Sequence, residues 1–321
     1  MNQIPRSSPY LSPEEKKMLM THSNWRAAGE IAIHYGWIAG ALLLPWIWTT
    51  PITVIISLMI LGGQQLACAV LLHDAGHYAV FKDKRLNDFV GQWLGAYPVF
   101  QNMKAYRNYH LLHHQLTGLP EDPDILLTRG YPASRASMIR KLLRDLTGLT
   151  GLKSIFGLFM MHLGLLEYNL GKKRLEFVRE AFSFGKITQS ALRNLSGPII
   201  VNVIMAFLIS WLLAPWIYLL WIGAYLTTFQ FCIRIRSIAE HSLLDEPTNP
   251  VKNTRTTHAN WFERLLFAPY HVNYHLEHHM LMTVPSYNLP KMHQLLLERG
   301  FYEEGILETG YLDVLRKTIT S

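Results

Sequence analysis

Cysteine is almost missing from this chain of 321 residues, which has two. Cys68 and Cys232 both lie in apolar runs without a CxxC partner, which argues against a disulfide framework, a zinc ribbon and a thiol redox centre. Any bound metal would therefore rest on nitrogen and oxygen ligands. Charge is scarce as well: Asp, Glu, Lys and Arg make up 17% of the chain, against roughly 25% in ordinary soluble domains. With 50% hydrophobic residues, the composition is that of a membrane protein rather than of one large soluble domain. The mean hydropathy of only +0.10 requires a sizeable water-facing portion too. What the chain has in surplus is histidine, with fifteen.

Four apolar runs, at about 29–48, 52–72, 197–213 and 216–233, each approach the roughly 20 residues that a spanning helix needs, the third being short. The second contains no Asp, Glu, Lys or Arg. Turn residues at Thr49, Thr50 and Pro51, and again at Pro215, predict two tight helical hairpins. Of the 30 Lys and Arg, 4 precede the first run, 17 lie between the second and third and 9 follow the fourth. Positive residues stay cytoplasmic, so residues 73–196 and 234–321 are expected to form one cytoplasmic cap within a single domain, 1–321. The expectation is an all-α integral membrane fold, multi-pass, in a bacterial inner membrane rather than an endoplasmic reticulum. No cleavable signal peptide is expected, and the sequon at Asn194 should be silent. Residues 149–166, interrupted by Lys153 and His162, read as a helix in the interface or beneath the cap. The stretch Phe89–Phe100 reads the same way.

Eight histidines fall in three helically spaced clusters: His73-x-x-x-His77, His110-x-x-His113-His114 and His275-x-x-His278-His279. Positions i, i+3 and i+4 share a helix face, so the imidazoles of each cluster should converge. From Pro51 to His77 a helix would run about 40 Å against a hydrocarbon core of about 30 Å, which lifts the first cluster clear of the lipid. The fourth run delivers His241 to the same level, beyond Arg234 and Arg236. Nine imidazoles exceed the four ligands of one tetrahedral zinc and suit two metals. Asp74, Asp122, Asp124, Glu240 and Glu277 lie in or beside the clusters and could orient the rings. His22, His34, His162, His258 and His293 read as ordinary polar residues. His271, four residues before His275, is the further histidine placed to join.

The ordered clusters with their interleaved hydrophobic hairpins resemble the integral membrane fatty acid desaturases and their hydroxylase and ketolase relatives, over roughly residues 30–300. Further matching pieces are Glu121, Asp122, Pro123 and Asp124; Arg236, Glu240 and His241; Asn253, Thr254 and Arg255; and the run Asn273–His279 followed by Val284, Pro285, Asn288, Leu289 and Pro290. The resemblance implies a non-haem di-iron centre that uses O₂ and two electrons to desaturate an acyl chain. Its ligands, which are also its catalytic residues, would be His73, His77, His110, His113, His114, His241, His275, His278 and His279. Some relatives carry an Asn one turn before the ninth histidine, where this chain has Ser237. No fused cytochrome b5 or ferredoxin domain is expected, so electrons would come from a separate donor of ferredoxin, rubredoxin or cytochrome b5 type. A net charge of +7 would favour an acidic donor and anionic lipid headgroups. Lipid, and not nucleic acid, is the expected partner.

Two other readings stay open. A lipid or carotenoid hydroxylase or ketolase could use the same centre. A metal transporter or haem-binding membrane protein would need liganding residues at mid-membrane, where only His34 stands.

Overall fold

The structure, a computed structural model, describes residues 10–170, 177–178, 183–244 and 246–320. The helices that position the histidines are α1 (Asn24–Ile47), α2 (Pro51–Gly76), α3 (Met103–Leu116), α4 (Arg135–Leu146), α5 (Leu149–His162), α6 (Phe184–Leu212), α7 (Pro215–Leu226), α8 (Thr228–His241), α9 (His275–Met280) and α10 (Leu289–Glu298). Among the described residues the strands are two-residue parallel pairs: Ala133–Ser134 with Ile319–Thr320, and Thr256–Thr257 with Leu307–Glu308.

Four helical stretches are long and apolar enough to cross a membrane: Asn24–Ile47, Pro51–Gly76, Phe184–Leu212 and the α7–α8 pair, Pro215–His241. Their 24 to 29 residues correspond to about 36–44 Å of helix, more than the hydrocarbon core requires. Proline at the first turn starts α2 and α7 where its missing N–H costs nothing. At α2 the Thr50 and Thr53 side chains cap each other's backbone N–H groups.

Two of the apolar runs differ from the sequence expectation. The third is the end of a 29-residue helix; hydropathy stops at Arg193 and Lys186, whereas the helix continues through both and tolerates Pro198 at the loss of one backbone bond. The fourth is broken at Thr227, whose backbone leaves the helical region at φ −116°, ψ −85°. Its hydroxyl donates to Gly223 O at 2.6 Å, and that of Thr228 to Leu58 O of α2 at 2.5 Å and to Ala224 O at 3.4 Å. Hydroxyls that bond back four residues bend helices.

Helix α2 is the axis of the molecule, packed against α1, α3, α7 and α8. From Leu61 to His73 only Ala69 is not fully buried. Its polar side chains tie it to its neighbours in a zone where water offers no alternative: Ser57 Oγ donates to Ala41 O at 2.7 Å, Gln65 Nε2 to Trp221 O at 2.8 Å and Gln64 Nε2 to Leu265 O at 3.1 Å. Glycine makes the approaches close enough. A Cβ at Gly62 would lie 2.7 Å from the Thr228 backbone, the small-residue contact through which helices pack in lipid.

Residues 149–162 form α5, whose 14 residues span about 21 Å, too short to cross. It lies against α7, where a Cβ on Gly151 would stand 2.2 Å from Leu226 O. The stretch Phe89–Phe100 contains a π-helical turn at Gly91–Ala96 and a 3-10 turn at Tyr97–Val99. Phe89 and Trp93 stack there with ring centres 5.9 Å apart.

The packing makes a paired prediction. Gly62→Ala, which overpacks the α2–α8 seam, should destabilise the protein by about 1–3 kcal/mol. Gly36→Ala in α1, where nothing lies within 4 Å of the added carbon, should leave stability unchanged or raise it by up to about 1 kcal/mol. Melting in detergent measures both; equal melting temperatures for the two variants would contradict the close approach.

Candidate metal centre

The four elements that carry the histidine clusters meet at one end of α2. His73 lies in the last turn of α2, and His77 is the residue that ends it. His110, His113 and His114 lie on α3, His241 is the last residue of α8, and His275, His278 and His279 lie on α9. All nine come together in two groups, within each of which one ligand atom per residue lies within 4.8 Å of every other. The first group is His73, His77, His110, His114 and His278; the second is His113, His241, His275 and His279.

Neither HxxHH therefore points at one place. In α3 the i and i+4 residues join the first group and i+3 the second. In α9 the i and i+4 residues join the second and i+3 the first. Residues i+3 and i+4 are about 100° apart around a helix axis, so neighbouring histidines lean to opposite sides of the seam. The expectation that each triplet converges is corrected: each HxxHH supplies both groups, while His73 and His77 both join the first.

The nitrogen that each ring offers is set by what holds its other nitrogen. Asp74 accepts from His73 Nδ1 at 2.7 Å, Asp122 from His113 Nδ1 at 2.8 Å, and Asn253 O from His241 Nδ1 at 3.4 Å. Their Nε2 atoms are left to face inward. Nε2 atoms of His110 and His114 lie 3.0 Å apart, His114 and His278 3.2 Å, His241 and His275 2.9 Å, and His275 and His279 3.1 Å. Among the described residues, His73 Nε2 and both nitrogens of His77 are buried without a hydrogen-bond partner. Lone pairs brought together out of water need a cation or a proton between them, and these separations suit ions bound at about 2.0–2.1 Å from imidazole nitrogen. The residues present thus fit two metal ions.

Electrostatics favours neutral rings. Burial pushes the His77 imidazole down to about 3, with the Arg107 charge adding to it. His110, His275, His278 and His279 are held well below the ordinary histidine range by burial and then by the neighbouring rings of the centre. For His113 burial acts downward too, but the Asp122 hydrogen bond and the Asp124 charge outweigh it and raise it. Unprotonated imidazole is the form that binds a metal.

Of the five carboxylates expected to orient the rings, Asp74 and Asp122 do so, and Asp124 stands 3.7 Å from His113 Nδ1. Glu240 is 3.6 Å from His275 Nδ1 and bonds instead to Arg236 Nε at 2.6 Å. Glu277 touches no clustered histidine. It accepts from His293 Nδ1 at 2.6 Å and from the Thr256 and Tyr302 hydroxyls, bracing α9 from behind. His293, read from sequence as an ordinary polar residue, is thus a support of the site. His271 joins neither group. His22, His34 and His162 have separate partners in Tyr78 O, Gln64 and Phe100 O.

Two supports escaped the sequence reading. Arg107 on α3 donates to the terminal carbonyls of α2, Ala75 O at 3.0 Å and Gly76 O at 2.9 Å, while gripping Asp88 at 2.6 Å. Tyr78, left-handed at φ 58°, closes α2 where a glycine is usual, its N–H bonding to Ala75 O at 3.1 Å and that of Ala79 to Asp74 O at 3.0 Å; Arg107 adds side-chain donors to this end. Tyr106 stacks on the His110 ring, 5.3 Å between centres and 16° from parallel.

A family model described as fatty acid desaturase matches residues 45–310. The chain is 29% identical to dihydrorhizobitoxine desaturase of Bradyrhizobium elkanii, over 96% of this chain and 88% of that protein. It is 29% identical to an sn-1 oleoyl-lipid 12-desaturase of Synechocystis, over 84% of this chain and 73% of that protein. It is 24% identical to the chloroplastic omega-6 fatty acid desaturase of Spinacia oleracea, over 80% of this chain and 54% of that protein.

The ring orientations can be tested separately for the two groups. Asp74→Asn should weaken metal retention in the first group and Asp122→Asn in the second, each by about 10–100-fold. Competition with a chelator on the purified protein, followed by metal quantification, measures the loss; wild-type retention in either variant would refute the role given to that carboxylate.

Proposed function

Since the chain belongs to the fatty acid desaturase family, we propose that it is a membrane-bound, O₂-dependent di-iron enzyme that introduces a double bond into a lipid acyl chain, with electrons from a separate donor protein. The observation that carries this reading is the two-group cluster of nine histidines, eight of them buried and His241 partly so. In this reading His73, His77, His110, His114 and His278 hold one iron and His113, His241, His275 and His279 the other. Bound iron would supply the means of using O₂, two electrons and two protons to take two hydrogens from adjacent unactivated carbons, releasing two waters.

The protein's own part is positional. Asp74 and Asp122 fix the ring nitrogens that face the metals, and their charge partly offsets that of the ions. Arg107 holds the end of α2, and Glu277 holds α9. Burial of all the clustered rings but His241, which is partly buried, keeps bulk water from the reacting positions.

The membrane reading has its own support. Two hairpins, α1–α2 and α6–α8, would place the water-facing mass of the single 1–321 unit on the side rich in Lys and Arg, the cytoplasmic side of a bacterial inner membrane. At the opposite ends, Trp46, Trp48, Trp211 and Trp216 are exposed at the two connections, as an aromatic belt at the far interface would require. A donor of ferredoxin, rubredoxin or cytochrome b5 type would approach the basic face, which attracts an acidic partner.

Expression in a host that lacks the activity, with mass spectrometry of total lipids, tests the reading. A new double bond without added oxygen is expected; oxygen in the product would assign the chain to hydroxylase or ketolase chemistry. His114→Ala and His278→Ala should each abolish product and lower bound iron, whereas His22→Ala should change neither. Full activity in either of the first two variants would exclude the di-iron centre.

A further inference from the structure

We propose that the outward face of α4, with the start of α5, is a binding site for one anionic phospholipid of the adjoining leaflet. The inference rests on the membrane placement proposed above and is independent of the reaction.

Depth comes first. The path from Pro215, at the start of α7, to Arg234 in α8 is about 29 Å of helix, one hydrocarbon thickness, so Arg234 stands at headgroup level. Its guanidinium is joined to the fully buried carboxylate of Asp145, with Nη2 to Oδ1 at 2.8 Å. That ion pair fixes α4 at the same level. Leu226, against which α5 packs through Gly151, lies about 17 Å from Pro215 along the helix, within the hydrocarbon. The two short helices thus straddle the boundary, α4 among headgroups and α5 dipping beneath them.

Helix α4 is apolar on two sides. Inward, Met138 packs with Ile238 and Val314. Outward, Ile139 and Leu143 are 57% and 56% exposed, and the row continues through Leu149, Leu152 and Phe156 of α5, all exposed. Beside it stand Arg140 and Arg144, one turn apart. Arg140 reaches only Ser137 Oγ at 3.5 Å and Arg144 only Thr150 Oγ1 at 3.3 Å. Among the described residues neither forms an ion pair, because the one nearby carboxylate, Asp145, faces inward to Arg234. Ala136, Ile139, Leu143 and Leu149 floor an open groove of about 540 Å³ that the two arginines rim.

An aliphatic floor with two unpaired guanidiniums at headgroup depth has the chemistry of an acyl-glycerol body under a phosphodiester. A headgroup of net negative charge satisfies both arginines, whereas a choline headgroup would bring its own cation against them. A soluble acidic protein could meet the arginines but could not cover Leu152 and Phe156, which continue the floor below the headgroups.

Native mass spectrometry of the purified full chain, offered equal amounts of phosphatidylglycerol and phosphatidylcholine with the same acyl chains, tests the site. One phosphatidylglycerol per chain should be retained, preferred by about tenfold. Arg140→Gln with Arg144→Gln should remove that preference without lowering the melting temperature, both side chains being exposed. Arg316→Gln, a basic surface position elsewhere, should keep it. Equal retention of the two lipids by the unaltered chain would overturn the proposal, as would an undiminished preference in the double variant. Loss of binding to an acidic electron donor in the double variant, with the lipid preference intact, would assign the face to protein docking instead.

Discussion

Nine imidazoles, eight of them buried, share one volume with their lone pairs aimed inward by staying for the most part uncharged, His113 being the ring that Asp122 and Asp124 raise, and the rest of the structure is arranged around that requirement. A protonated ring here would lose its hydration and meet its neighbours' partial charges at about hydrogen-bond distance. Burial accordingly depresses most of the rings, His77 as far as about 3. Neutrality alone does not choose a nitrogen. That choice belongs to the outer acceptors, Asp74, Asp122 and the Asn253 carbonyl, which take the Nδ1 hydrogens of His73, His113 and His241. The carboxylates stand behind the rings rather than among them, where they orient the ligands and still offset positive charge.

Holding lone pairs face to face is unfavourable without an ion, so the scaffold must be rigid before any metal arrives. Two braces supply this. Arg107 reaches from α3 to the last carbonyls of α2, and so locks the first and second histidine clusters to each other. Glu277 draws Thr256, His293 and Tyr302 onto the back of α9. A buried carboxylate with three donors is tolerable, whereas one with none would shift its protonation or unfold its surroundings. The third cluster is thereby fastened from the side opposite the other histidines, which leaves its three rings free to divide between the two groups.

Much of this was legible in the sequence, because helical spacing is local. The HxxxH and HxxHH patterns, and the place of His73, His77 and His241 just beyond apolar runs, follow from 3.6 residues per turn and 1.5 Å per residue. The division of each triplet between two groups was not, since it depends on how α3 and α9 dock across the seam. The role of Glu277 was legible and misread. It sits two positions from both His275 and His279, about 200° around the axis, and so cannot face the same way. His293 carried no local signal; only the fold brings α10 behind α9. Hydropathy failed where helix and lipid part company. It stopped short of the first turns of α6, and it could not show the bend that two threonine hydroxyls impose at Thr227.

The depth of the site also constrains how a lipid chain could reach it. Below the histidines, α2 is sealed to α8 at Gly62 and to the π-helical turn at Gly95, where an added Cβ would fall 2.7 Å and 2.8 Å from the neighbouring backbone. At Gly63 the corresponding approach to Leu265 O is 2.6 Å. A methylene chain is several ångströms wide and cannot lie in a seam that excludes one carbon. These contacts hold the histidines in register and cannot open without moving His73 and His77, which end the same helix. An acyl chain that presents its carbons to the two groups must therefore come past another side of α2, and selectivity for chain length or position would be set by side chains away from the glycine seams.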